Sequence, residues 1–177
     1  MKVEFVKTGY LEENCYVLSI NNECLIVDPG DEFDKIKSLV GTRKVLAILV
    51  THYHFDHVGA LFDAKKYYNV NVIDYKSNKL NNIGPFNFEI IDTKGHKDDL
   101  VSFYFRKYNI MFVGDFIFKG SVGRCDLPGG NIFDMKKSIE KIKKFDKNII
   151  LYPGHGDKTT LEYEIKTNPF LKEDTYE

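Results

Sequence analysis

Two rhythms of apolar and polar residues run along the chain, and the switches between them mark out its elements. Lys2-Val3-Glu4-Phe5-Val6-Lys7 alternates charged with apolar side chains, the period-two pattern of a strand with one covered face. Strand-like runs follow at Cys15 to Ile20 and Cys24 to Val27, the second closed by the turn residues Asp28-Pro29-Gly30. Phe33, Ile36, Leu39 and Val40 recur at helical spacing and predict a short helix. Val45 to Val50 is unbroken apolar sequence, as expected of a strand buried on both faces. Val58, Leu61, Phe62 and Tyr68 return to helical spacing; Val70 to Tyr75 reads as a strand and residues 77–85 as a loop.

The second half repeats this order. Phe86 to Ile91, Leu100 to Phe105 and Asn109 to Val113 predict strands, the last two forming a hairpin that turns near Lys107-Tyr108-Asn109. A helix from Ile132 to about Phe145 would bury Ile132, Met135, Ile139 and Ile142. Asn131 would cap it, with Asp134 returning a bond to the backbone. Ile149 to Leu151 reads as a last strand and Thr160 to Lys166 as a last helix. Two groups of strands, each trailed by helices and with no linker or repeat between them, predict one domain over residues 1–177. The pattern leaves open whether the sheets close or stack.

Composition narrows the function classes. The 25 basic and 26 acidic residues nearly cancel, so no general field draws the chain to nucleic acid or an anionic membrane. No apolar run is long enough to span a bilayer, and the N-terminus lacks the apolar core of a signal peptide. Cys15, Cys24 and Cys125 are odd in number and lack Cys-x-x-Cys spacing, so they read as reduced thiols in a cytoplasmic protein. Cys125 reads as packing. The lysines at 136, 137, 141, 143 and 144 read as a solvated helix face, with no interleaved aromatics to stack on bases.

Histidine placement is the strongest chemical signal. All five histidines lie in loops at predicted strand ends: His52, His54 and His57 in Thr51-His52-Tyr53-His54-Phe55-Asp56-His57, His96 in Lys94-Gly95-His96, and His155 in Pro153-Gly154-His155-Gly156. Neutral imidazole is the commonest biological metal ligand. In an extended segment His52, His54 and Asp56 face one side and can converge, while a helix beginning at Asp56 would aim His57 elsewhere. One short segment can thus serve two neighbouring metal positions, with His96, Asp115 and His155 arriving from other strand ends. Tyr53 and Phe55 would line the mouth or support the loop.

These motifs, with Gly114-Asp115, Gly120-Ser121-Val122-Gly123-Arg124, Val27-Asp28-Pro29-Gly30 and Asn168-Pro169-Phe170, resemble the metallo-β-lactamase fold superfamily, and within it the short glyoxalase II-like hydrolases. The resemblance implies a mixed α/β (α+β) fold, a four-layer αββα sandwich with metals between the sheet edges. It implies two divalent ions, zinc first, with iron or manganese as alternatives. His52, His54 and His96 would hold one ion; Asp56, His57 and His155 the other; Asp115 would bridge them, and Asp28 would organise the site. Asp56 and Asp115 would be the catalytic carboxylates. In true β-lactamases a bridging carboxylate at the Asp115 position is not typical, which disfavours antibiotic hydrolysis.

The expected reaction is hydrolysis of a small glutathione-type thioester by a metal-bridging hydroxide. Two cations about 3.5–4 Å apart lower the pKa of a shared water toward about 7, and a thiolate leaves without a strong acid. Arg124 stands at a glutathione-contact position, or is a structural ion-pair residue; Asp126 replaces a tyrosine there. Lys97-Asp98-Asp99-Leu100 replaces the usual Thr-Pro-Gly-Ser, and Asp98 and Asp99 read as solvated turn residues. The competing readings are a persulfide dioxygenase with one iron on His52, His96 and Asp115, and a phosphodiesterase acting on nucleic acid. The native metal, the acyl group, the thiol carrier and the oligomeric state are not legible.

Overall fold

The strand Glu13–Ile20 shows how the layers arise. Tyr16 and Leu18 enter one buried cluster, whereas their neighbours Cys15 and Val17 enter another on the opposite face. In the computed structural model, which describes residues 1–172, this alternation recurs through two sheets. The first half comprises β1 (Lys2–Thr8), β2 (Glu13–Ile20), β3 (Glu23–Val27), α1 (Phe33–Val40), β4 (Lys44–Leu49), α2 (Phe55–Val58), α3 (Leu61–Tyr68) and β5 (Asn71–Ile73). The second comprises β6 (Leu80–Ile83), β7 (Phe86–Asp92), β8 (Val101–Phe105), β9 (Ile110–Gly114), β10 (Ile117–Phe118), β11 (Ser121–Val122), α4 (Ile132–Ile142), β12 (Ile150–Pro153), β13 (Thr159–Thr160) and α5 (Leu161–Thr167).

The strands of the first sheet lie in the order β1-β2-β3-β4-β5 and those of the second in the order β13-β12-β9-β8-β7-β6, with β10 and β11 as a separate ribbon. The central layer packs Leu25, Val27, Ala47 and Leu49 of the first sheet against Phe88, Phe103, Phe105 and Phe112 of the second. Ile36 and Val40 of α1 and Ala64 of α3 cover the outer face of the first sheet. Met135, Ile139 and Ile142 of α4 and Leu161 of α5 cover the second. Helix, sheet, sheet and helix therefore stack as αββα. Among the described residues no helix is long and apolar enough to cross a membrane.

β4 carries both faces, as its apolar run predicts. Leu46 is an extra residue between Val45, opposite Cys24, and Ala47, opposite Leu25. This bulge turns Leu46 and Ala47 to the same inner side, while Val45, Ile48 and Val50 meet the helices. Two parallel pairs then set up the site. β3 and β4 leave the sheet side by side, as do β9 and β12, so their following loops share one end of the sandwich.

Several local expectations are corrected. Residues 77–85 contain β6, an edge strand with no buried residue and hence no apolar rhythm to read. The helical pattern from Val58 to Tyr68 is broken at Gly59-Ala60 into α2 and α3. β5 stops at Ile73, and α4 stops at Ile142 rather than Phe145. Ile132 is exposed; Ser138 takes a place on the buried face and donates to Lys94 O at 2.7 Å. Asn131 caps α4 as expected, accepting from the backbone N–H of Phe133 and Asp134. Its own N–H donates to Gly95 O at 2.7 Å, so Asp134 returns no bond to it.

Candidate metal centre

The site begins with one buried carboxylate. Asp28, at the end of β3, accepts from Thr51 N at 2.7 Å through Oδ1, and from Thr51 Oγ1 at 2.6 Å through Oδ2. Oδ2 also accepts from His57 Nδ1 at 2.9 Å. These charge-assisted bonds fix the loop where it leaves β4 and orient the His57 ring. The helix then starts at Phe55, not at Asp56 as expected. Asp56 is thereby turned from His52 and His54, and its Oδ2 lies 3.1 Å from His155 Nε2.

His52, His54 and His96 form the first donor group. The Thr51 hydroxyl gives its proton to Asp28, so it accepts from His52 Nδ1 at 3.0 Å. His96 Nδ1 donates to Arg124 O at 2.7 Å. Both rings therefore present a bare Nε2, 3.0 and 2.8 Å from His54 Nδ1. With at most one hydrogen among these three close nitrogens, inward-facing lone pairs remain that a Lewis acid can accept. This donor chemistry fits a metal ion, with the second ring nitrogens of His52 and His96 pinned as metal-binding histidines require.

Asp56, His57 and His155 form the second group. His155 Nδ1 donates to Leu11 O at 3.1 Å and turns Nε2 inward. Asp115, just past β9, faces both groups: Oδ1 lies 3.3 Å from His57 Nε2, and Oδ2 lies 3.5 Å from His96 Nε2 and 3.7 Å from His155 Nε2. His57 Nε2 and Asp115 Oδ1 are buried without an aligned hydrogen bond, which again fits a cation between them. Gly154 makes room, since a Cβ there would stand 2.4 Å from Asp115 Oδ1 and 2.5 Å from His57 Cε1.

The two groups differ electrostatically. Burial, helped by the neighbouring imidazoles, holds His52 well below the usual imidazole range and lowers His54. Burial also opposes charge on His57, but Asp115 and Asp28 outweigh it and raise His57 well above that range. His155 is raised against its own burial by Asp56 and Asp115. Asp56 and Asp115 are lowered against their burial, Asp56 by His155 and His57, and Asp115 chiefly by His57.

The structure thus brings all seven proposed donors together. Around them Leu11, Phe55, Lys97, Arg124, Leu127 and Pro128 line a cavity of ≈ 610 Å³. Arg124 lines this cavity and forms a two-pronged ion pair with Asp126 at 2.7 Å. Phe55 is exposed there, whereas Tyr53 supports the loop by donating to Asp74 at 2.7 Å. Asp98 is solvated, but Asp99 is buried, a correction to the expectation for it: Lys97 Nζ holds its Oδ2 at 2.6 Å. Cys125 is half-buried, burial raises its thiol pKa, and it packs against the outer core.

Four supporting residues were not assigned roles from sequence. Asn14 Nδ2 donates to Pro153 O and Gly156 O, and Tyr16 OH to Pro153 O at 2.6 Å, clamping the His155 loop to the first sheet. Polar Asn14 within a run of apolar strand residues was the available signal. Thr51 relays the Asp28 carboxylate to His52. Glu13 lies behind His57, fully buried, and burial pushes its carboxyl well above the usual range.

Comparison with known proteins agrees with this geometry. The family model of the metallo-beta-lactamase superfamily matches residues 8–81 and 77–155. The probable metallo-hydrolase YqgX of Bacillus subtilis is 33% identical over 97% of this chain and 98% of its own. The hydroxyacylglutathione hydrolase GloC of Haemophilus influenzae is 29% identical over 97% and 98%. Among solved structures, the BLEG-1 B3 metallo-beta-lactamase superposes with a TM-score of 0.92 at 29% identity, covering 96% of this chain and 99% of that one. A di-iron-bound form of TTHA1623 gives 0.86 at 31% identity, covering 94% and 99%.

Proposed function

Because the chain belongs to the metallo-beta-lactamase superfamily, we propose that it is a dinuclear metal-dependent hydrolase that cleaves a small-molecule thioester of the hydroxyacylglutathione type. The observation that carries this reading is the second donor group. A mononuclear iron dioxygenase would need only His52, His96 and Asp115, yet Asp56, His57 and His155 also converge within 4.8 Å of one another. The di-iron form of TTHA1623 supports two ions in a similar frame, and GloC supports the substrate class.

In this proposal His52, His54 and His96 hold one ion, Asp56, His57 and His155 the other, and Asp115 reaches both. Bound there, two divalent ions would acidify water and polarise a carbonyl oxygen. The remaining work falls to the chain. Asp28 and Thr51, with the carbonyls of Arg124 and Leu11, fix the tautomers of His52, His57, His96 and His155, so those four rings need not reorient during reaction. Asp56 lines the cavity, and His155 and His57 hold its carboxyl pKa down, so it stays ionised and would serve as an anionic donor to the second ion. Leu11, Phe55, Leu127 and Pro128 give the cavity an apolar wall against which an acyl chain would pack. A thiolate departs without an acid beside it.

Metal analysis of the purified protein tests the proposal, paired with S-lactoylglutathione, a chromogenic cephalosporin and structured RNA as substrates. Near two zinc, iron or manganese ions per chain and preferential thioester cleavage are expected. One iron with persulfide-dependent oxygen uptake, or preferential cleavage of the cephalosporin or RNA, would overturn it.

A further inference from the structure

We propose that Lys97 is an anion anchor in the wall of this cavity, so that the preferred thioester carries a carboxylate beyond its reacting carbonyl. The inference rests on the thioesterase reading and adds to it a residue that selects for charge on the substrate. Lys97 follows His96 directly and lines the cavity. Its side chain is 19% exposed and its partner Asp99 only 10%, so the ammonium is held in partly dry surroundings.

Two contacts fix its position. Asp99 Oδ2 holds Nζ at 2.6 Å, whereas Asp98 Oδ1, at 3.7 Å, is beyond hydrogen-bond range. The lysine stem runs along Gly129, which has φ +87; a Cβ there would stand 3.4 Å from Lys97 Cγ and 3.1 Å from Asp98 Oδ1. The loop carrying Leu127 and Pro128 therefore closes against the Lys97 stem. An ammonium has three donors. Among the described residues one is used by Asp99 and no other acceptor is within hydrogen-bond range.

A cation tethered in this way retains donors for a ligand and loses little side-chain freedom on binding one. Arg124, tethered to Asp126, lines the same cavity. The rest of the lining away from the metal donors is apolar: Leu11, Phe55, Leu127 and Pro128. Two held cations among apolar walls suit a substrate with an apolar stretch and a carboxylate, and disfavour one that is neutral throughout. The carboxylate could belong to the thiol carrier or to the acyl group.

The experiment separates these sources and uses metal-loaded protein. Hydrolysis of S-lactoylglutathione (charged carrier), S-succinyl-N-acetylcysteamine (charged acyl group) and S-lactoyl-N-acetylcysteamine (neutral) is compared between wild type and Lys97→Gln. The ratio of kcat/KM for the charged substrate that wild type prefers to kcat/KM for the neutral one should fall about ten-fold, the scale of one charge-assisted hydrogen bond. The loss should lie in KM, and Lys97→Arg should restore most of it. If Lys97→Gln fails to fold with Asp99 left unpaired, Lys97→Gln/Asp99→Asn gives the same comparison. Calorimetric binding of unreactive S-methylglutathione and succinate reads the anchor without turnover, and the affinity of at least one should fall in parallel. Unchanged selectivity together with unchanged affinity for both ligands would overturn the anchor. A wild type that cleaves no thioester would instead overturn the functional proposal, leaving the calorimetry to decide on Lys97.

Discussion

The two donor groups lie side by side, yet they differ in how readily they take up protons. The first is built of three imidazoles, and burial with mutual repulsion keeps His52 and His54 from taking up protons. The second is an acidic nest in which Asp56, Asp115 and Asp28 draw protons onto His57 and His155. A proton can thus stand in for a metal in the second group but not in the first. At the first group a metal would compete with few protons; at the second it would have to displace those of a salt-bridge network.

Removing one donor from each side tests this comparison with the largest effects. His54→Ala and His155→Ala should each leave near one metal per chain and lower thioester turnover about 100-fold or more, the scale on which losing one charge-stabilising group acts. Asp115→Asn should cost more than either, because its two oxygens face both groups. Metal content and steady-state kinetics measured on the same preparations check both statements. Near-normal turnover in Asp115→Asn would end the dinuclear proposal.

A smaller effect should come from behind the donors. Asp28→Asn keeps one acceptor for Thr51 N but replaces the oxygen that serves both Thr51 Oγ1 and His57 Nδ1. Loss of such an orienting carboxylate typically costs about 10–100-fold in metal affinity. It should weaken the ion at His57 more than the ion at His52, which feels Asp28 only through the Thr51 hydroxyl. Stepwise metal titration distinguishes the two. Equal weakening of both would mean that Asp28 supports the loop as a whole rather than the His57 ring.

The sequence made the donors legible and their supports largely illegible. His52, His54 and His57 stand out because an apolar strand delivers them together, and Gly-His loops mark the other two. Thr51 and Glu13 carry no such mark: a threonine before a histidine and a glutamate beginning a strand are ordinary until the fold sets them against His52 and His57. The fold followed the same rule. β4 and the Asn131 cap could be read because burial and capping each leave a local pattern. β6 could not, since an edge strand with polar side chains obeys only its backbone pairing with β7. Asp99 misled for a related reason. Its burial depends on Lys97 folding back over it, a contact that charge alone does not announce.

The mildest test of the comparison is pH, and its sign follows from the shifts themselves. His57 is raised well above the ordinary value of about 6.5 and His155 is raised above it, so in the metal-free protein both keep protons to higher pH than a free imidazole does. Binding at the second group must expel that charge, so its apparent affinity should fall about ten-fold per pH unit for each proton displaced as pH drops through this range. His52 and His54 are lowered, so protons compete at the first group only well below about 6.5. In the metal-free fold the same shifts oppose one another. Raised His57 and His155 add stability that is present below the unfolded value and lost as pH rises through their folded values. Lowered His52 and His54 add stability that is present above the unfolded value and lost as pH falls. Metal titrations between about pH 6 and 8 should therefore show one equivalent with a steep pH dependence and one nearly flat, with protons released only by the steep one in buffers of differing ionisation enthalpy. Two equivalents with the same slope would mean that a proton does not take the place of a metal at His57 and His155, and the asymmetry between the groups would be lost.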